Sequence, residues 1–246
     1  MIPKSHPRYE SLITREKLVE GFREGIVVPE GLIAHGRGEA FDYIFGEKTR
    51  DFALEAEKAA VAAMLLSEKP VISVNGNAAA LVAERLSELS EILKAPLEVN
   101  VFHWSRERVE KIAKWLMSKG CKNVLYAGDA EIEGIEHLRR IVDSRGILVA
   151  DTVMVMLEDG DRCEILRRHG KRVIAIDLNP LSRTAKMADI TIVNNVVRAI
   201  PEMIEIAKEF TKKDEEFLKS LLENYDNREV LSRALNAIAS YFKPND

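Results

Sequence analysis

Short apolar runs alternate with longer segments whose apolar positions recur every three or four residues, and this alternation organises the middle of the chain. Pro70-Val71-Ile72-Ser73-Val74, Leu97 to Phe102, Asn123 to Ala127, Val153 to Met156, Arg172 to Ile176 and Ile190 to Val193 read as strands. They lack the in-out alternation of a half-exposed sheet, which predicts burial on both faces and parallel pairing. Between them the spacing predicts helices over Asn77 to Leu93, Arg106 to Lys119, Ile132 to Ser144 and from Glu158 towards Arg168. Strands that alternate with helices of this length predict an α/β fold, a doubly wound, mainly parallel, Rossmann-like sheet.

Helical stretches flank this core. Ser5 is a candidate cap, with Pro7 in the first turn, for a helix through Leu12 and Leu18 that stops near Gly25; Asp51 to Ser67 is a second amphipathic run. Arg198 to Lys208 and Asp214 to Phe242 continue the chain as helices after the last strand. The expected organisation is one α/β unit over residues 1–246, with a helical N-terminal segment 1–69, a Rossmann-like core 70–195 and a helical tail 196–246. No linker rich in Gly, Ser or Pro divides it.

Composition narrows the class. The 246 residues are 46% hydrophobic, enough for a sizeable core, and 31% charged, which predicts a surface laced with ion pairs. A net charge of −4 supplies no general attraction to nucleic acid or to anionic membranes. The two cysteines, Cys121 and Cys163, make neither a disulfide framework nor a Cys-rich zinc site and read as buried thiols. With neither a signal core nor a run of about 18 apolar residues, the chain is expected in the cytoplasm.

In a doubly wound sheet, ligands gather beyond the carboxyl ends of the strands. Those ends are polar here: Asn75-Gly76-Asn77, His103-Trp104-Ser105, Gly128-Asp129, Asp177-Leu178-Asn179 and Asn194-Asn195. The Asn75 to Asn77 turn opens the Ala-rich helix, with Asn77 as its expected cap; it suits an anion site as well as an ordinary strand-to-helix corner, but lacks the glycines of the dinucleotide fingerprint. His35-Gly36-Arg37-Gly38-Glu39 reads as a loop at a charged helix start, its glycines letting backbone approach a ligand while Arg37 offers a fork for phosphate or carboxylate. Ser182, Arg183 and Thr184, after Asp177 and Asn179, place hydroxyl and guanidinium donors at another helix start, a combination that favours phosphate. His103 stands at a strand end beside Arg106 and Arg108.

Four stretches carry a family resemblance: Ser5-His6-Pro7-Arg8-Tyr9-Glu10-Ser11-Leu12, Gly31 to Tyr43, Asn75-Gly76-Asn77, and Asp177-Leu178-Asn179-Pro180-Leu181-Ser182-Arg183-Thr184-Ala185. They resemble the archaeal phosphopantothenate synthetases, also called 4-phosphopantoate:β-alanine ligases, in order over nearly the whole chain. The resemblance implies a homodimer in coenzyme A synthesis that joins (R)-4-phosphopantoate to β-alanine, using ATP with Mg2+ and releasing AMP and diphosphate through an acyl-adenylate. On this reading Arg15, Arg37, the loop of Asp177, Leu178, Asn179, Ser182, Arg183 and Thr184, and the amides Asn194 and Asn195 are candidates for ATP. Asn75, Gly76 and Asn77 are candidates for the phosphate of phosphopantoate or part of ATP. The attacking ammonium must lose a proton, to His35, His103, Glu39 or solvent, and Arg37 also counts with these as a catalytic candidate.

Two other readings fit the same fold: a dinucleotide-dependent enzyme, against which the missing glycines stand, and a nucleotide-sensing module without turnover. The first predicts a nicotinamide absorbance change, the second ATP binding without AMP release.

Overall fold

The computed structural model describes residues 2–240. Three helices open the chain: α1 (Tyr9–Arg23), α2 (Pro29–Phe45) and α3 (Asp51–Leu66). The core follows as β1 (Pro70–Val74), α4 (Gly76–Leu93), β2 (Leu97–Val99), α5 (Arg106–Ser118) and β3 (Val124–Leu125), then a hairpin of β4 (Ala130–Glu131) and β5 (Ile141–Val142). After it come β6 (Thr152–Met156), α6 (Gly160–Arg168), β7 (Arg172–Ile176), α7 (Arg183–Met187) and β8 (Ile190–Ile192). Helices α8 (Val196–Phe210), α9 (Glu215–Glu223) and α10 (Asn227–Ser240) complete the described chain, and Phe242, expected at the end of the last helix, lies outside it.

All pairings in the main sheet are parallel and the order is β3-β2-β1-β6-β7-β8. The chain runs outward from β1 and then returns to β6 on its other side, so the topological switch lies between β1 and β6. Both faces are buried, as the continuous apolar runs predict. Ile72, Val74, Leu97, Val99, Met154, Met156, Ile174 and Ile176 point into a core shared with α3, α4, α5 and α8. Val71, Val153, Val155, Val173 and Ala175 point the other way, onto Cys163 and Leu166 of α6 and onto Ile132, Ile135 and Val142 around the hairpin. Each fully buried side chain of this kind contributes about 1.5–3 kcal/mol over its exposed state.

Four local expectations need correction. Residues 132–144 are not a helix: Gly134 takes a left-handed φ of 88°, Ala130 and Glu131 pair with Val142 and Ile141, and only Leu138–Arg140 makes a single 3-10 turn. The unit around Arg37 is not a loop but the interior of α2, whose true punctuation is Pro29 at the start and left-handed Gly46 at the end. Asn75, not Asn77, caps α4, accepting the Ala78 N–H at 3.0 Å. Helix α1 begins at Tyr9 with Arg8 at the cap position, so Ser5 and Pro7 precede it, while Gly25 at φ 72° follows its end as expected.

Both cysteines are buried thiols, Cys121 pushed up to about 11 by burial and Cys163 raised further by the same cause. The expected ion pairs knit helices that are remote in sequence, as where Arg233 of α10 reaches Asp51 at 2.7 Å and also Glu55 on α3.

Candidate active site

A cleft of about 320 Å³ opens between the N-terminal segment, α1, α2 and the start of α8. His35, Glu39 and Asp42 face it from one side of α2, because positions three and four apart share a helix face. Arg8 and Ser11 line it from the N-terminal side, and Asn195 and Arg198 from beyond β8. A much smaller void of about 10 Å³ adjoins it over the ends of β6, β7 and β8, walled by Gly38, Leu178, Asn194 and Val196 and sharing His35 and Asn195 with the cleft.

Charge in the cleft is paired but not neutralised evenly. Glu39 accepts from Ser11 Oγ at 2.6 Å and from Arg15 Nε at 3.0 Å, with Arg8 at 3.9 Å. Burial pushes its carboxyl up, and the hydrogen bonds from Arg15 and Ser11 outweigh that and hold it below the usual carboxylate range. Arg8 also binds Glu47 at 2.8 Å. Asp42, 3% exposed, accepts from Asn195 Nδ2 at 2.8 Å and from the guanidinium of Arg198. His35 is 5% exposed with Nε2 unpartnered, and burial lowers its pKa more than Glu39 and Asp42 raise it. A neutral imidazole with an open nitrogen on a cleft wall is a ready proton acceptor.

Arg37 points away from His35 on α2, is exposed, and sends its charge towards Asp177. Burial raises the pKa of Asp177, against the hydrogen bonds from Ser182 Oγ at 2.5 Å and the Asn179 N–H at 2.9 Å. Asn179 Oδ1 in turn accepts the Leu181 N–H at 2.9 Å, and Ser182 caps α7. Leu178 packs beside Gly38, where an added Cβ would meet its Cδ1 at 3.6 Å. This loop borders the small void. Arg183 instead turns to α6 and pairs with Asp161 and Glu164, the latter at 2.6 Å, while Thr184 is buried and donates to the Glu158 carbonyl at 2.6 Å.

Asn194 is buried in a network of its own. Its Nδ2 reaches Glu57 at 2.9 Å, Thr49 at 3.0 Å and Glu202 at 3.2 Å, and its Oδ1 accepts the Asn195 N–H at 2.8 Å. Asn195 also caps α8.

The Asn75 to Asn77 turn sits at the switch point and is covered by protein. Asn75 Nδ2 donates to the Met156 carbonyl at 2.6 Å, and Asn77 Nδ2 to the Gly31 carbonyl at 2.8 Å. A Cβ on Gly76 would lie 2.0 Å from the Ile26 carbonyl oxygen, so close packing alone requires glycine there. Leu157, next in the chain after β6, holds a left-handed φ of 50°, rare for leucine. His103 stands apart from His35, half exposed at the end of β2, with Nε2 3.9 Å from Glu30.

The sequence reading thus anticipated His35, Glu39 and Asn195 of the cleft, with Arg15 bound to Glu39 at its edge. It missed Arg8, Ser11 and Arg198 as members of one site. Arg198 carried a usable signal, standing one helical turn beyond Asn194, and its Nε does reach Asn194 Oδ1 at 3.2 Å.

Comparison with known proteins adds an independent line. A family model described as phosphopantothenate/pantothenate synthetase matches residues 52–241. The chain is 51% identical over 243 residues to a 4-phosphopantoate--beta-alanine ligase of Methanosarcina mazei, spanning 98% of this chain and 96% of that protein. It is 53% identical over 236 residues to a protein of the same name from Thermococcus kodakarensis, spanning 95% and 90%. A third, from Methanospirillum hungatei, is 47% identical over 238 residues, spanning 97% and 96%. These full-length alignments take in α1 and α2, which build one side of the cleft, and with the match to the core they show that the chain belongs to the phosphopantothenate/pantothenate synthetase family.

Proposed function

We propose that this chain is an ATP-dependent ligase that condenses 4-phosphopantoate with β-alanine to give 4'-phosphopantothenate, AMP and diphosphate. The observation that carries this reading is the full-length similarity to relatives bearing the ligase name, over a chain whose cleft joins a buried, neutral histidine to cationic side chains.

The chemistry proceeds in two steps. A carboxylate oxygen of phosphopantoate attacks the α-phosphorus of ATP, the bond to the β-phosphate breaks, and diphosphate leaves. The amine of β-alanine then attacks the acyl carbon of the adenylate, and AMP leaves as the amide forms. The first step crowds anions, so guanidinium and N–H donors lower its barrier. Arg15, Arg37, the N–H groups opening α8 beyond Asn194 and Asn195, and the loop from Asp177 to Thr184 are the candidates to bind and orient the nucleotide. Arg183, already paired with two carboxylates of α6, fits best as a positioning residue for that loop. The second step needs a base for the ammonium, and His35 is better suited than Glu39, whose carboxylate is stabilised in its charged form.

Among the described residues no group of three or more His, Cys, Asp or Glu could form a metal cage. That donor set fits Mg2+ carried mainly by nucleotide phosphates and water, and the ion would supply charge neutralisation at the triphosphate. Exposed Ile33 and Tyr43 on α2 and Phe22 on α1 support assembly with a second copy as a homodimer. No helix among the described residues is long and apolar enough to cross a membrane, in keeping with a biosynthetic enzyme of the cytoplasm acting in coenzyme A formation.

The test is nucleotide product analysis with ATP, Mg2+, 4-phosphopantoate and β-alanine, omitting each in turn. AMP formed only in the complete mixture is the expected result. ADP would replace the adenylate by an acyl-phosphate, and absence of nucleotide turnover would overturn the ligase reading in favour of a sensing module.

A further inference from the structure

Helix α3 supplies none of the cleft's lining, yet it carries a buried acid that the reaction scheme leaves unused. Glu57 is fully buried beside Ala53, Ala56, Ala60 and Val61, at a place where an apolar side chain would serve stability better than a carboxyl. Its Oε2 has no hydrogen-bond partner, and its Oε1 accepts from Asn194 Nδ2 at 2.9 Å. Burial above all, with the charge of Glu202 added, pushes this carboxyl up to about 9 against the hydrogen bond from Asn194. At neutral pH Glu57 is therefore the uncharged acid.

What it holds is the orientation of one amide. Asn194 is 2% exposed, and its Nδ2 faces three oxygens: Glu57 Oε1, Thr49 Oγ1 at 3.0 Å and Glu202 Oε2 at 3.2 Å. Thr49 in turn donates to Glu202 Oε1 at 2.7 Å, which ties α8 to the segment before α3. At the other end, Asn194 Oδ1 accepts the Asn195 N–H at 2.8 Å and Arg198 Nε at 3.2 Å. Turned over, the amide would set oxygen against oxygens on one side and N–H against N–H groups on the other. The acceptors around Nδ2 therefore fix Oδ1, and with it the first turn of α8. From that turn Asn195 and Arg198 both reach Asp42 on α2. A continuous set of contacts thus runs from Glu57 through Asn194 to two walls of the cleft.

We propose that Glu57 is a positioning residue for the ligase: through the Asn194 amide it sets the N–H groups that open α8, and the Arg198 guanidinium, in the geometry that receives the nucleotide. The proposal rests on the ligase reading and extends it to a residue that touches no substrate. Of the elements packed on α3, α8 faces Glu57 with Glu202 and Arg198, whereas α10 sends Arg233 to Asp51 and Glu55 instead. Strand β8 and α9 bring Ile190, Ile192 and Leu218 to the shared core. Ionising Glu57 keeps the acceptor but sets a second negative charge against Glu202, and α8 carries that repulsion to Asn195.

The experiment measures kcat and the KM values for ATP and β-alanine in wild type, Glu57→Gln and Glu57→Leu, with calorimetry of ATP and Mg2+ alone beside it. Glu57→Gln offers Asn194 a carbonyl oxygen in place of the acid's, and is expected to keep kcat and both KM values within about twofold at neutral pH. Glu57→Leu fills the space without an acceptor. It is expected to raise KM for ATP about fivefold or more and to leave KM for β-alanine within about twofold, a split that a loss of packing alone would not produce. In wild type KM for ATP should rise about threefold above about pH 9, and in Glu57→Gln it should stay flat. Should Glu57→Leu fail to fold, this pH comparison carries the test. An unchanged KM for ATP in folded Glu57→Leu, an equal rise in every KM, or the same alkaline rise in Glu57→Gln as in wild type overturns the assignment. The two readings fail separately. AMP release by wild type with an unmoved KM for ATP in Glu57→Leu removes the positioning role and keeps the ligase. Absence of turnover with ATP binding weakened in Glu57→Leu does the reverse.

Discussion

Asn195 Nδ2 donates to Asp42 Oδ2 at 2.8 Å, joining the residue that caps α8 to a carboxylate on α2 that is 153 positions away in the chain. Arg198 reaches the same carboxylate from the first turn of α8. This contact fastens one wall of the cleft to the edge of the sheet. Asp42→Ala strands a half-buried guanidinium and a buried amide, and is expected to lower unfolding stability by about 2 kcal/mol. Guanidinium chloride midpoints measure it. A midpoint equal to that of wild type would show that the contact contributes nothing to fastening α2.

His35 should act in its neutral form. Burial depresses its pKa below the ordinary value of about 6.5, so the acidic limb of kcat/KM is expected below pH 6.5, with activity lost as pH falls through it. His35→Asn should abolish that limb and cut kcat at least tenfold, equivalent to about 1.4 kcal/mol of transition-state stabilisation. An unaltered pH profile in the variant would assign the proton to another group or to solvent.

Arg37 and Arg183 were equal candidates for the nucleotide, and their surroundings now divide them. Arg37 is exposed and makes no ion pair among the described residues, whereas Arg183 is engaged with Asp161 and Glu164. Arg37→Ala is expected to reduce turnover at least tenfold while leaving stability within about 0.5 kcal/mol. Arg183→Ala should cost less in turnover and act mainly on KM for ATP, through the loop it anchors. Parallel kinetics of both variants decide it, and the reverse order would refute the division.

Glu57 is fully buried beside Asn194 and the carboxylate of Glu202, and burial pushes its pKa up to about 9. The folded state therefore holds a proton that the unfolded chain releases near pH 4.5. The stability this supplies is fully present below about pH 4.5 and is lost as pH rises towards about 9. Glu57→Gln keeps the acceptor for Asn194 and removes the titration. The slope of stability against pH in that window should flatten by up to one proton, about 1.4 kcal/mol per pH unit. Denaturant titrations between pH 5 and 9 test it, and parallel slopes for the two proteins would exclude proton retention by Glu57.

Much of this molecule is local and was therefore legible in the residues. Short, mostly apolar runs bounded by turn residues place apolar side chains on both faces of a strand, which calls for a sheet covered on both sides, and that pointed to β1, β6 and β7 and the parallel class. Caps written in single side chains, Ser105 for α5 and Ser182 for α7, are local in the same way, because their hydrogen bonds span only three residues. The motif resemblance pointed to the family that the full-length comparisons establish.

Tertiary structure decided what depends on distant partners. Glycine between polar neighbours looks like a loop until Pro29 and Gly46 are seen to bound one helix, and only the packed fold sets the face of α2 that turns His35, Glu39 and Asp42 inward. It spends Arg183 on α6, covers Gly76 with the Ile26 carbonyl, and leaves Arg108 over the start of α4 with no carboxylate. The physical reason is the same throughout: a propensity or a cap is settled within one turn of chain. Whether a charged group is free for a ligand depends on which oppositely charged group, remote in sequence, packing brings beside it.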